Sequence, residues 1–120
     1  MEFAEVVDLH LAAIAQRELD AYLATVHDDV TLIMPTGKLL TGRDEVAAFH
    51  QDWFNDPDWR WELTMLRQTV VGNTGIAVLS VDYHDLDSAG APYSMSYVLS
   101  LVFIQSGGDW LLLHDQNTLR

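Results

Sequence analysis

The chain has 120 residues and a mass of 13.5 kDa, is 49% hydrophobic and 20% charged, and so fits one globular domain rather than a disordered segment. It has no cysteine, which excludes disulfides, thiolate catalysis and cysteine-held metal or iron–sulfur centres. Six basic against eighteen acidic residues leave a net charge of −12; such a chain repels nucleic-acid phosphates and anionic membranes and favours cationic or neutral small molecules.

Residues 3–17 have helical spacing. Phe3, Val6, Val7, Leu11 and Ile14 form one apolar stripe, and His10 occupies a position within it. Leu19, Tyr22, Leu23 and Val26 repeat the spacing in a second, shorter helix, which Asp28-Asp29 ends. Val30–Met34 reads as a strand, Pro35-Thr36-Gly37-Lys38 as a turn and Leu39-Leu40 as a short apolar pair. Thr41 or its neighbour caps a third helix over 43–55, with Asp44 and Glu45 suited to its positive end. That helix carries Val46, Phe49 and Trp53 on one face, and His50 interrupts the stripe.

After Pro57 the period changes to two. Trp59–Val71, Ile76–Leu86, Tyr93–Gln105 and Trp110–Leu119 read as four long strands joined by short Gly-containing turns, hence paired antiparallel. The expected fold is α+β, a single domain over 1–120: a curved, cone-shaped antiparallel or mixed sheet with the helices of the N-terminal half packed on its concave face. Such a shape can enclose a pocket, and a filled core is equally permitted. The start, Met1-Glu2-Phe3-Ala4-Glu5, is acidic rather than basic, unlike a secretory signal. The longest nearly apolar run, Val98–Ile104, falls far short of the roughly 20 residues that span a bilayer. A cytoplasmic protein is the expectation.

Several segments resemble nuclear-transport-factor-2-like proteins, in particular the SnoaL-like and ketosteroid-isomerase-like branch. They are Val26-His27-Asp28-Asp29-Val30-Thr31-Leu32 after the two helices, Leu40-Thr41-Gly42-Arg43-Asp44-Glu45-Val46 opening the third helix, and the tail Gly108-Asp109-Trp110 through Thr118. The tail is similar to uncharacterised bacterial members and to the association domain of calmodulin-dependent kinase. The resemblance implies the cone-shaped, cystatin-like α+β fold and a homodimer. It leaves activity open, because the superfamily holds isomerases, cyclases, dehydratases and members that only bind or dimerise. The isomerases' general-base aspartate falls on Met34, before Pro35, and a thioether cannot abstract a proton. Their oxyanion-hole tyrosine falls on His10, and a supporting tyrosine on His50.

His10 and His50 are therefore candidate acid–base or oxyanion-binding groups, oriented by Asp115 or Asp82. By the same resemblance, Ser80, Asp82 and His84 on one strand face the pocket, with Tyr97 and Leu99 on the next and Leu113, Asp115 and Asn117 on the last. A one-residue slip in register would bring Ser94, Ser96 and Ser100 in instead. Met34, Trp53 and Trp61 complete the candidate lining, the tryptophans as aromatic walls or simply as core. His114 and Gln116 lie on the other face of the last strand, the expected dimer seam, where Trp110, Leu112 and Ile104 would require cover. No metal or nucleotide motif occurs and no cofactor is expected. The expected partner is a small hydrophobic molecule. It would be bound with cofactor-independent proton transfer (isomerisation, cyclisation or dehydration) or, alternatively, without catalysis in a binding or dimerisation module.

Overall fold

The computed structural model describes all 120 residues. Two helices, α1 (Phe3–Ala15) and α2 (Leu19–Leu23), lead into strands β1 (Val26–Ile33) and β2 (Leu39–Thr41). Helix α3 (Arg43–Phe54) follows, then β3 (Arg60–Val71), β4 (Thr74–Leu86), β5 (Pro92–Ser106) and β6 (Asp109–Leu119). The strands form one curved, unclosed sheet in the order β2-β1-β6-β5-β4-β3; β1 runs parallel to β6 and every other pair is antiparallel. The three helices lie over one face, as the α+β reading requires. No helix is long and apolar enough to cross a membrane.

Helix α1 buries Phe3, Val6, Val7, His10, Ala13 and Ile14, the stripe read from its spacing with Ala13 added and Leu11 only half-buried. At its start the Glu5 carboxylate accepts from the Glu2 amide at 3.0 Å, satisfying a backbone donor next to the first turn. The helix stops at Ala15 rather than continuing to residue 17. Arg17 adopts a left-handed backbone (φ 56°), with Arg17 N–H donating to Ile14 O and Glu18 N–H to Ala13 O, the paired bonds of a Schellman end. Glycine usually takes that position. Here the Arg17 side chain offsets the strain: it donates to Asp56 O at 3.2 Å and Trp59 O at 2.6 Å, and its guanidinium lies 4.0 Å over the Trp59 ring.

Helix α2 ends at Leu23, short of the expected Asp28-Asp29 stop, because Val26 is already a strand residue paired with Leu112 of β6. The Arg43 guanidinium closes the α2 end by donating to Leu23 O (2.6 Å) and Val26 O (2.8 Å). The Gly42-Arg43 pair thus has a physical role: Gly42, at φ 85°, turns the chain into α3, and Arg43 reaches back to cap α2.

Irregularities in the ladder re-aim residues. Shifts occur between Val26 and Thr31 on β1, between Met65 and Arg67 on β3, and between Val102 and Phe103 on β5, opposite Leu112 and His114 of β6. The last one makes both Leu112 and Asp115 buried although their numbers differ in parity. Trp110 and Leu112, expected on the outer face, are consequently buried in the main core. At the other end of the sheet the Phe3 ring packs against Phe103 and Trp110 and over Gly75, where a Cβ would run into the ring.

Two outcomes follow. Gly75→Ala forces the Phe3 ring aside, and urea unfolding should show a loss of about 1–3 kcal/mol. Arg17→Ala releases the 56–59 segment at a cost of about 2 kcal/mol; an unchanged urea midpoint would contradict the role given to Arg17.

Candidate functional site

The helical layer and the sheet separate toward the carboxyl end of α3, leaving a cavity of about 420 Å³, within the size range of small-molecule sites. Its buried end is formed by Ile14, Leu32, His50, Tyr97, Leu99 and Asp115. Its walls are aromatic: Phe49 and Trp53 from α3, Trp61 from β3 and Tyr83 from β4. Met34, Pro35, Asp52, Asp56 and Tyr93 stand nearer solvent.

One wall is a continuous ring stack. Trp53 stacks on Trp59 at 4.3 Å, and Trp61 meets both edge-on at 5.6 Å. Polar ends of the rings are tied: Trp59 Nε1–H donates to Trp53 O, Trp53 Nε1–H to the Tyr83 hydroxyl, and that hydroxyl to Asp85 Oδ2 at 2.9 Å. Asp85 Oδ1 accepts from the Leu86 amide. These bonds hold large side chains in one arrangement without filling the cavity.

His50 and Asp115 both line the cavity's buried end, whereas His10 does not line it. His50 donates Nδ1–H to Val46 O at 2.8 Å; a carbonyl can only accept, so the proton is on Nδ1 and Nε2 presents a lone pair with no protein partner. Asp115 Oδ1 accepts from Asn117 Nδ2 at 3.0 Å, and the same amide donates to Ile33 O, which fixes Asn117 beside it. Asp115 Oδ2 has no protein partner. His10 lies behind Tyr22, whose ring is 5.0 Å from the His10 ring and 4.0 Å from that of His50. Thr25 donates its hydroxyl proton to Tyr22 O, so toward His10 its oxygen accepts, and His10 Nδ1–H donates to it at 2.8 Å. His10 Nε2 and the Tyr22 hydroxyl are buried without partners.

Strand β4 requires a correction. Ser80, Asp82 and His84 lie on the outer face, and Ala77, Leu79, Val81, Tyr83 and Asp85 point inward. His84 Nδ1 bonds Ser94 Oγ and its Nε2 meets Glu62 at 3.1 Å; Ser96 Oγ–H donates to Asp82. These are cross-strand polar pairs. The apolar alternation from Ala77 to Tyr83 is the sequence signal that the odd positions are inside, and it identifies Tyr83 and Asp85 as lining residues in place of Ser80, Asp82 and His84. On β5, Tyr97 and Leu99 line the cavity, and Ser94, Ser96 and Ser100 do not. On β6, Asp115 and Asn117 line it, whereas Leu113 does not, because the shift between Leu112 and His114 breaks strict alternation. Met34, Trp53 and Trp61 line it. No group of three or more His, Asp or Glu side chains is placed to hold a metal ion.

Burial reorders the acid–base chemistry. It lowers His10 to a pKa of about 3, with the His50 charge adding to the effect, and lowers His50 to about 4 against the opposing Val46 hydrogen bond. Burial raises Asp115 to about 7 although the Asn117 bond opposes it. Both imidazoles are therefore neutral at physiological pH, and the group that can gain or lose a proton there is Asp115. Between about pH 4 and 6.5 the unfolded chain binds protons on both histidines that the folded chain refuses, while the folded chain keeps one on Asp115 that the unfolded chain has lost. The unfolded state is ahead by two minus one, so these groups make stability rise with pH by about 1.4 kcal/mol per unit. Above 6.5 the Asp115 contribution alone remains and stability falls toward pH 7. Asp115→Asn should make the rise in urea stability between pH 4.5 and 6.5 about twice as steep and abolish the fall; an unaltered profile would show that Asp115 does not retain its proton.

Comparison with known proteins agrees with this architecture. A cystatin-like-fold protein of uncharacterized function from Caulobacter vibrioides superimposes with a TM-score of 0.83 at 17% identity, over 98% of this chain and 86% of that one. A ketosteroid isomerase-like protein from Erwinia carotovora atroseptica gives 0.81 at 16%, over 97% and 92%. The S. rosetta CaMKII hub gives 0.75 at 25%, over 98% and 93%. Curated proteins yield no match. The family model described as a SnoaL-like domain matches residues 4–117, nearly the whole chain, and the chain belongs to the SnoaL-like family, with the nuclear-transport-factor-2-like fold that its helix-three opening and tail resemble.

Proposed function

We propose that the chain binds a small, largely hydrophobic molecule in this cavity and moves a proton on it without a cofactor, in an isomerisation, cyclisation or dehydration. The observation that carries the reading is the Asp115 carboxyl: buried at the inner end of an aromatic cavity, held to a pKa of about 7, and with one oxygen free. A carboxyl so placed can act as base and then as acid within one turnover. Asp115 takes a proton from carbon beside a ligand carbonyl, the electron pair moves into the enolate, and the proton returns at a second carbon or assists departure of a hydroxyl. The Tyr97 hydroxyl faces the same space, its own ionisation made harder by burial and the nearby Asp115 charge, and remains a neutral donor for the developing oxyanion. His50 Nε2 accepts from a ligand hydroxyl. His10, sealed behind Tyr22, supports the wall and touches no ligand.

A non-catalytic role is the second reading. Met34-Pro35 occupies the place of the isomerases' base, and His10 is closed off from the cavity. Assembly as a homodimer through the outer sheet face is part of both readings; light scattering at micromolar concentration tests it and should give twice the chain mass.

The two readings separate with 2-tetralone, a small aromatic ketone whose binding is followed by quenching of tryptophan fluorescence. In D₂O the wild-type chain should speed exchange of its α-protons, read by NMR, and Asp115→Asn should lower that acceleration at least tenfold while quenching persists. Quenching with no acceleration in the wild type would favour binding alone.

A further inference from the structure

The charges and hydrogen-bonding capacity of the cavity are one-sided. Four carboxyls border it, Asp52, Asp56, Asp85 and Asp115, and no lysine or arginine does. Arg17 lies over the Trp59 ring and is committed to Asp56 O and Trp59 O. Most donors of the wall are committed, Trp53 Nε1–H to Tyr83, the Tyr83 hydroxyl to Asp85, and the Asn117 amide to Ile33 O and Asp115, while the hydroxyl of the buried Tyr97 is left free. Two acceptors facing the cavity, Asp115 Oδ2 and His50 Nε2, are left without protein partners. An anion would find no cationic side chain here and too few free donors to replace its hydration.

The rim adds a second, independent feature. Trp53, Trp61, Tyr83 and Tyr93 present aromatic rings beside Asp56 and Asp85. An aromatic face next to a carboxylate attracts an organic cation through the ring quadrupole and the charge together. The fold already uses ring attraction for a cation once, where the Arg17 guanidinium lies over the Trp59 ring. Asp56 and Asp85 also repel each other. Although the Asp58 amide lowers Asp56, burial and the Asp85 carboxyl raise it overall. A cation beside them would relieve that repulsion.

We propose that the cavity selects organic cations: a hydrophobic amine or quaternary ammonium whose charge sits at the rim against Asp56, Asp85 and the rings of Trp53, Trp61, Tyr83 and Tyr93, with its apolar body directed inward to Leu99, His50 and Asp115. The proposal rests on the cavity being a ligand site and names the chemical class of the ligand. The net charge of −12 would further raise the local concentration of such a molecule.

Three probes of similar size isolate the charge: benzyltrimethylammonium, its uncharged carbon isostere neopentylbenzene, and phenylacetate. Tryptophan fluorescence titration or calorimetry at 0.15 M salt should show benzyltrimethylammonium binding at least tenfold more tightly than neopentylbenzene, with no saturation by phenylacetate. Asp56→Asn and Asp85→Asn should each weaken the cation threefold or more and leave neopentylbenzene unchanged. Asp56 is partly exposed, so its variant also covers the case in which Asp85→Asn fails to fold. Asp82→Asn removes the same charge from the opposite sheet face and should have no effect; a loss equal to that of Asp56→Asn would mean that the overall charge of the chain is responsible and would overturn the proposal. Neopentylbenzene binding as tightly as the cation would overturn it while leaving the cavity a ligand site. Failure of all three probes would overturn both readings.

Discussion

The cavity depends on an aromatic prop. Trp53 on α3 stacks against Trp59 at the entrance to β3, and Tyr83 of β4 is tied to Trp53 through its hydroxyl. Arg17 clamps the outer side of the stack and holds the connecting backbone. Flat, rigid rings with satisfied polar ends keep α3 off the sheet at one end, while at the other end Phe3 closes directly onto Gly75. One layer of helices is therefore both packed and open. The difference lies in whether a bulky ring or a bare glycine meets the helix.

The interior behind the prop contains more polar chemistry than stability requires. His10, Tyr22, His50 and Asp115 are all buried; His10 Nε2 and the Tyr22 hydroxyl lack any partner, and His50 Nε2 and Asp115 Oδ2 have none toward the cavity. Unsatisfied buried groups cost stability, on the order of 1–3 kcal/mol each. A structural core would be more stable with apolar side chains in these places. The tautomer of His50 is set by Val46 and the orientation of Asp115 by Asn117, so the free acceptors face the cavity in fixed positions. Such fixed placement suits a ligand site better than a core.

The SnoaL-like domain covers nearly the whole chain. Gly42-Arg43 and the tail strand do structural tasks in it, turning the chain into α3, capping α2 and completing the sheet next to β1. In the proposed reading the titratable group is Asp115 on β6, and Met34, a thioether, takes no part in proton transfer. The fold permits this, because the curved sheet provides a concave face to which any of several strands can contribute a carboxyl.

Much of this was legible in the amino-acid order. Hydrophobic spacing marked α1 and α3, turn residues delimited the four long strands, and the break in the apolar stripe at His50 marked a cavity-lining residue. The same reasoning could not separate His10 from His50, since both interrupt a stripe and only the position of Tyr22 decides which one is sealed. Resemblance misled on β4, where it favoured Ser80, Asp82 and His84 over the alternating run ending at Tyr83 and Asp85. Local periodicity determines which residues share a face of a strand or helix, and that information is contained in the sequence. Which face turns inward past a ladder irregularity, how a ring stack props two layers apart, and which buried carboxyl is left with a free oxygen depend on neighbours distant in the chain. Those were decided only when the sheet curved and the helices docked.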